Sequence, residues 1–239
     1  MKSLIRKELA LYFSNLSGYL ISCLFLLITG LFLWVIPGNW NVFSAGYANL
    51  DGLFELAPWL YLFLVPAVSM RLFSDEYRLG TMELLMTSPL SAWKVLSAKY
   101  ISGLVVILLS LLPTFIYVYS VSTMASPVGN VDMGAIVGSY LGLLLLACIY
   151  LAIGLFTSSL TDNQIVAFLL ALVMCYILYA GLDFTASIFN GSWAHFIAAG
   201  GIASHYDALS RGVIIFSDMV YYFSVTFLFL YFTKLRIEG

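Results

Sequence analysis

Residues 134–157 read GAIVGSYLGLLLLACIYLAIGLFT, a stretch without a charged residue that is long enough to cross a lipid bilayer as one helix. An α-helix rises about 1.5 Å per residue, so roughly 20 residues cross the ~30 Å hydrocarbon core. The composition of the chain agrees, since 62% of its residues are hydrophobic and 9% are charged. A soluble domain could not cover so much apolar surface with so few charges, and we therefore predict an integral membrane protein.

Five more apolar blocks are similar in character, and together they predict a single all-α domain, residues 1–239, with six transmembrane helices. The spans are expected at about residues 18–36, 54–73, 101–122, 134–157, 163–182 and 214–233. Residues 1–16 have apolar side chains at helical spacing, which predicts a helix lying in the membrane interface or, alternatively, a plain extension of the first span. Residues 185–213 are expected to form a loop with short interfacial or re-entrant helices. Gly138 and Gly142 form a GxxxG pattern, which is typical of close helix packing.

The lysines and arginines are distributed unevenly between the two sides of the predicted bundle. With six spans both termini lie on the same side, and every lysine and arginine except Arg211 falls on that side. Cytoplasmic loops of membrane proteins carry an excess of these residues. We therefore predict that both termini and the loop of residues 74–100 are cytoplasmic, and that residues 185–213 are extracytoplasmic.

Side chains suited to catalysis, metal binding or ion coupling are not grouped in the sequence. No ionisable residue lies in the middle of a predicted span, whereas proton- and ion-coupled carriers need such groups. The GxxxxGK[ST], HExxH and GxSxG motifs are missing, and the three cysteines lie singly within apolar blocks. His205 has only His195 and Asp207 nearby, too few ligands for a structural zinc site. We expect no catalytic residue, no metal and no cofactor, and the net charge of −2 gives no basic field for nucleic acid.

Residues 75–91, DEYRLGTMELLMTSPLS, form the one long charged stretch between two spans, and we call them the charged segment. Gly80 is expected to end the helix that continues from the second span, and a short helix to follow with Glu83 in its first turn. Ser88 and Pro89 suit the N-cap and the first position of the next helix. A short apolar helix with a charged rim outside the bilayer favours a protein partner. The alternative is that this helix packs on the membrane surface and binds nothing.

The charged segment resembles the permease subunits of ABC-2-type transporters, in which a segment with Glu, Arg, Gly-Thr, Glu and Leu-Leu, followed by Ser-Pro, comes after the second span. The matching residues here are Glu76, Arg78, Gly80, Thr81, Glu83, Leu84, Leu85, Ser88 and Pro89. The stretch before the last span resembles the family's aromatic-x-x-x-x-R-G motif, and its candidate residues are His205, Tyr206, Arg211 and Gly212. Within this family the chain resembles the gliding-motility-associated permeases of Bacteroidetes, and permeases of copper-enzyme maturation and of drug or polysaccharide export look similar too.

The resemblance implies a permease without enzymatic activity of its own. Two permease subunits, identical or homologous, would pair in the bacterial inner membrane above two ATPase subunits that bind ATP and Mg²⁺. The loop of residues 74–100 would couple the permease to the ATPase, with residues 158–164 as a weaker second contact. The implied roles are polar contacts and orientation for Glu76, Arg78 and Glu83, backbone geometry for Gly80 and Pro89, and buried contact area for Leu84 and Leu85.

The function implied by the resemblance is export of a substrate across the inner membrane, with a link to gliding motility. Two other functions stay open at this stage. One is a scaffold or assembly subunit that binds an ATPase without transporting cargo, and the other is a stand-alone carrier. A carrier would need ion-binding groups at membrane depth, and the sequence offers none.

Overall fold

The computed structural model describes residues 1–14, 16–87, 90–189 and 191–238, and over these residues it is all-helical, without a β-strand. The helices are α1 (Lys2–Ser14), α2 (Leu16–Gly30), α3 (Val42–Ala45), α4 (Asp51–Ser69), α5 (Arg71–Arg78), α6 (Met82–Met86), α7 (Ala92–Leu111), α8 (Phe115–Met124), α9 (Met133–Ser158), α10 (Gln164–Tyr176), α11 (Leu182–Ile188), α12 (Ser192–Ala198), α13 (Ile202–Ser210) and α14 (Phe216–Glu238). Two π-helical turns, Leu31–Val35 and Ile177–Gly181, extend α2 and α10, and a 3₁₀ turn joins α7 to α8 at Leu112–Thr114. The predicted all-α class is therefore confirmed.

Within the described ranges, five helical stretches are long and apolar enough to cross a membrane, which makes the chain a multi-pass membrane protein. They are Gly18–Val35, Asp51–Arg78, Ala92–Met124, Met133–Ser158 and Gln164–Ile188. These stretches coincide with the first five predicted spans. The second and third extend further than expected, to Arg78 and from Ala92, because the helices continue past the apolar residues into the loop of residues 74–100. The fifth also extends further, to Ile188.

The sixth predicted span, residues 214–233, forms helix α14, but α14 is less apolar than the other five stretches. Its 23 residues are sufficient in length, so its composition makes the difference. Asp218 lies in its first turn, several tyrosines follow, and charged residues occupy its last turn. Helix α14 packs along α9, and its role as a sixth span stays a prediction.

Helix α9 forms the centre of the bundle and packs against α4, α7, α10, α13 and α14. Gly154 brings the backbone of α9 close to α4, since a Cβ atom added to this glycine would lie 1.9 Å from the Oγ atom of Ser69. On α7, a Cβ atom added to Gly103 would lie 2.8 Å from a methyl group of Leu151. Small residues permit such close approach, which replaces the hydrophobic driving force that is missing in lipid.

The two ends of the bundle are separated by α4, whose 19 residues are about 28 Å long. Helices α1, α5 and α6 lie together at one end, which we call the α6 end. Helix α13 contacts the first turn of α4 at the other, which we call the α13 end. The buried residues of α1 are Leu4, Glu8 and Tyr12, so the face of α1 that meets the bundle contains an acid.

Candidate functional site

Helix α5 ends at the α6 end of the bundle in a turn that favours glycine. Gly80 has a φ angle of +65°, in the left-handed region that side chains with a Cβ atom rarely adopt. The Thr81 N–H donates to the Glu76 carbonyl at 3.0 Å, and the Gly80 N–H donates to the Tyr77 carbonyl at 3.2 Å. These two hydrogen bonds form a Schellman motif. The helix break predicted at Gly80 is therefore present, and it fixes the direction in which α6 leaves α5.

Four residues that flank this turn, two before Gly80 and two after it, have exposed side chains. Leu79 and Leu84 are 68% and 72% exposed. Arg78 and Glu83 are also exposed, and Glu83 lies in the first turn of α6. We call Arg78, Leu79, Glu83 and Leu84 the exposed patch. Exposed leucines with a charged rim are typical of a surface that binds another protein.

The inner side of α6 holds the segment against the bundle. Met82 is buried, and Leu85 is partly buried against the hydrophobic core. Leu84 therefore points away from the protein while its neighbour Leu85 packs onto it. Ser88 and Pro89, which were predicted to start the next helix, lie outside the described residues.

The side chain of Glu76 points into the helical bundle rather than towards the surface. Its Oε1 atom accepts from the Nζ atom of Lys7 at 3.1 Å and from the Nζ atom of Lys99 at 3.4 Å. The hydroxyl group of Thr81 donates to the other carboxylate oxygen, Oε2. Lys99 also donates to Oε1 of Glu8 at 2.9 Å. We call Lys7, Glu8, Glu76 and Lys99 the charge cluster, and it joins α1, α5 and α7.

The motif residues of the charged segment are thus of two kinds, those that contact other parts of the chain and those that lie on the surface. Glu76 and Thr81 contact each other and the chain's own lysines, which favours a role in holding the segment in place. Arg78 lies on the surface, where it pairs with Asp75 at 2.9 Å, and Glu83 is exposed on α6. Arg78 and Glu83 are therefore the candidates for contact with a partner.

The end of α9 and the start of α10 contact α5 from the side. The Ser158 hydroxyl accepts from the N–H groups of Phe73 and Ser74, each at 3.0 Å, and donates to the Met70 carbonyl at 3.0 Å. Ser158 thereby bridges the junction between α4 and α5. The side-chain amide of Gln164 donates to the Asp75 carboxylate. Of residues 158–164, expected as a second contact region, the two end residues therefore contact α5 and its start, and Gln164 reaches the charged segment at Asp75.

Sequence reasoning did not identify Lys7 and Glu8 as part of this site. The available signal was Lys99, which lies close to an apolar helix and is 1% exposed in the structure. A buried ammonium group needs a carboxylate partner, and few acids are available on the same side of the predicted membrane. Glu8, separated from Lys99 by 91 residues, could have been chosen on that ground, although its position on α1 gave no direct indication.

The second predicted motif lies at the α13 end. The Nδ1 atom of His205 is 2.8 Å from Oδ1 of Asp218, and its Nε2 atom is 3.0 Å from the carbonyl oxygen of Ala199. The hydroxyl group of Tyr206 donates to the Phe54 carbonyl at 2.8 Å, and burial raises the pKa of Tyr206. These contacts tie α13 to α14 and α4.

Gly212 and Arg211 are adjacent in sequence but differ in their surroundings. Gly212 has a φ angle of +78°, and a Cβ atom added there would lie 2.3 Å from the Cα atom of Ala135. Gly138, from the GxxxG pattern, lies against the backbone of Gly212. Arg211 is exposed, and its hydrogen bond to Asp207 raises the pKa of Arg211. Three of the four motif residues therefore fix α13 in place, and Arg211 lies at the surface.

Among the residues that the structure describes, no group of three or more His, Cys, Asp and Glu side chains could hold a metal ion. A cavity of about 670 Å³ lies between the loops at the α13 end and is lined by Phe43, Tyr47, Met124 and neighbouring residues without a charge.

A family model described as ABC-2 family transporter protein matches residues 59–222, which is more than half of the chain. The matched range includes the charged segment and the second motif, and it begins within α4, so α1 lies outside it. A search of curated proteins found no match.

Proposed function

The chain belongs to the ABC-2 transporter family and is a permease subunit of an ABC transporter, and from this premise we propose that the exposed patch docks a separate ATPase subunit. The observation that carries the proposal is the exposure of Leu84 at 72%, on a short helix that is held to the bundle by its opposite side. An exposed leucine beside charged residues outside the bilayer is stabilised when a protein partner covers it.

The way the patch is supported suits transmission of force. The Gly80 turn sets the direction of α6, and Glu76 and Thr81 hold the turn against the lysines of α1 and α7. Ser158 bonds α9 to the junction between α4 and α5, so a movement of α6 would reach the central helix through α5. ATP-driven closure of the ATPase would then bias the permease between two conformations, as alternating access requires.

The topology that fits this role has six spans, with α14 as the sixth. At about 1.5 Å per residue, the 23 residues of α14 are about 34 Å long, enough to cross the hydrocarbon core. Six spans would place both termini and the exposed patch in the cytoplasm of a bacterium, where an ATPase can reach the patch, and residues 185–213 outside. A second permease copy, identical or homologous, would complete the transporter.

The expected chemistry is divided between the subunits. ATP and Mg²⁺ would be bound and ATP hydrolysed by the ATPase, while this chain would move a substrate across the inner membrane without enzymatic activity of its own. Export, with a link to gliding motility, is the direction and context that we propose. The motifs of the chain resemble those of gliding-motility-associated permeases, which supports this context.

The proposal is tested by reversing the charge at Glu83. Glu83→Lys should weaken binding of the ATPase about fivefold to tenfold, because a charge at the edge of an interface contributes about 1 kcal/mol. The binding constant is measured by titrating the purified ATPase into the detergent-solubilised permease. Glu55→Lys is the matched control, since Glu55 is also exposed but lies in the first turns of α4, at the opposite end from α6. Equal affinity of the Glu83→Lys variant and the unaltered chain would contradict the proposed role of Glu83.

A further inference from the structure

Lys99 is a buried cation with three neighbours that come from two other helices, α1 and α5. It lies on α7 and is 1% exposed, and its Nζ atom is 2.9 Å from Glu8 on α1 and 3.4 Å from Glu76 on α5. The same Nζ atom lies 5.2 Å from the centre of the Phe73 ring. A charge that has lost its water must be compensated by such contacts, so the position of Lys99 depends on both carboxylates.

Helix α1 makes further contacts, one with the charged segment and one with the end of α4 that precedes it. Lys7 on α1 pairs with Glu76 at 3.1 Å, and the hydroxyl group of Tyr12 donates to the Val68 carbonyl at the end of α4. The chain continues from α1 into α2, the first predicted span, after Ser14. Helix α1 therefore connects the residues that hold the exposed patch to α2. The patch is thus linked to two predicted spans, α2 and α4.

The charge cluster resists separation of these helices. If α1 moved away from α5 and α7, Lys99 would lose Glu8, the closer of its two carboxylate partners, and Glu76 would lose Lys7. Breaking a buried pair in this way is strongly unfavourable, whereas movement of the three helices together costs none of these contacts.

We propose that Lys99 is a positioning residue that makes α1, α5 and the start of α7 move as one body, so that movement of the docked ATPase reaches the first span through α1. This inference rests on the proposed function, because it assumes that the ATPase binds at the exposed patch. It adds a second route, through Glu8 and α1, to the direct route from α6 through α5 to α4.

The test uses variants that separate coupling from folding. Lys99→Met alone would leave Glu8 buried without its lysine partner, whereas Glu76 would keep Lys7 and Thr81, so the main variant is the double replacement of Lys99 and Glu8 by Met. Removing both members of a buried pair in favour of apolar side chains is often neutral for stability. Glu8→Gln, which keeps the shape of the side chain, is the second variant if the double variant does not fold. Lys94→Met is the matched control, because Lys94 lies on the same helix and is exposed.

The measurement is hydrogen exchange of the permease–ATPase complex, without nucleotide and with ATP plus orthovanadate. In the unaltered complex we expect the nucleotide to change exchange in both α6 and α1. In the double variant the response of α6 should remain and the response of α1 should fall, because, among the polar contacts described above, only those of Lys7 and Tyr12 would still join α1 to α5 and α4. Glu8→Gln should lower the response of α1 to a smaller extent. The Lys94→Met variant should keep both responses.

Two results would overturn the inference while leaving the proposed function intact. One is an α1 response in the double variant and in Glu8→Gln that equals the response of the unaltered complex. The other is an unaltered complex in which α6 responds to nucleotide and α1 does not. A complex in which neither α6 nor α1 responds would contradict the proposed function and the inference together.

Discussion

Replacing Gly80 by valine is expected to weaken binding of the ATPase about tenfold or more. Valine in the left-handed conformation of Gly80 costs about 1–2 kcal/mol or more, and each 1.4 kcal/mol is a factor of ten in population. The turn therefore changes its backbone conformation in most molecules, and α6 no longer leaves α5 in the direction that the Schellman motif sets. The measurement is the affinity of the purified ATPase for the permease variant.

Two further variants isolate the backbone as the cause. A Cβ atom at Gly80 meets nothing within 4 Å, so the effect cannot come from a clash with a neighbour. Gly38→Val is the matched control, because Gly38 also has open space around it but does not have a left-handed φ angle. Gly80→Asn should restore binding, since asparagine tolerates the left-handed region better than valine. A Gly80→Val variant that binds the ATPase as tightly as the unaltered chain would show that the turn does not control docking.

Replacing Gly212 by valine is expected to lower the free energy of unfolding by about 3 kcal/mol or more, from backbone strain and overpacking together. Gly212 has a left-handed φ angle, and a Cβ atom there would lie within 2.3–2.8 Å of three backbone atoms of Ala135. Since backbone cannot rotate away as a side chain can, α13 would have to move from α9. That movement would also strain the hydrogen bond of 2.8 Å from the Ser139 hydroxyl to the Ser210 carbonyl. Thermal unfolding of the purified permease measures the loss.

Gly129 provides a matched control for the effect of Gly212. Its φ angle is +85°, but a Cβ atom there meets nothing within 4 Å. Gly129→Val should therefore show only the strain of the left-handed conformation, about 1–2 kcal/mol, without the overlap. The difference between the two variants measures the close approach of α13 to α9. Equal losses would mean that the contact between Gly212 and Ala135 contributes nothing to stability.

The sequence predicted those features that depend on neighbouring residues. Five of the six spans follow from runs of apolar residues, because a helix that faces lipid must be apolar along its whole length. The break at Gly80 follows from the backbone freedom of glycine, and the short helix after it from the residues between Gly80 and Pro89. Each of these features depends on residues that are adjacent in the sequence and not on contacts between distant parts of the chain.

The sequence could not predict which side chains point inward at the charged segment. Glu76, Arg78 and Glu83 are all charged residues of one motif, yet Glu76 lies inside the charge cluster and the other two are exposed. The difference is set by Lys7 and Lys99, which pair with Glu76 from α1 and α7. Such pairings arise from the packing of α1 and α7, and no spacing in the sequence encodes them.

The second motif illustrates the same limit. Tyr206, Arg211 and Gly212 were grouped by a resemblance that assigns them no separate roles. In the structure Tyr206 bonds to α4 and Gly212 packs against α9, while Arg211 is exposed beside Asp207. The left-handed φ angle of Gly212 and its contact with Ala135 explain physically why a glycine is needed there.

The central claim, that the exposed patch binds an ATPase, is tested most directly by the affinity of the ATPase for a Leu84→Asp variant. Leu84 is 72% exposed, so aspartate there should not disturb the fold. Val128→Asp is the control, because Val128 is 76% exposed in the loop before α9, at the α13 end. If Leu84 is a central contact, its replacement should weaken binding by about 2 kcal/mol or more, roughly 30-fold, while the Val128 variant binds normally. Unchanged affinity of the Leu84→Asp variant would contradict the account.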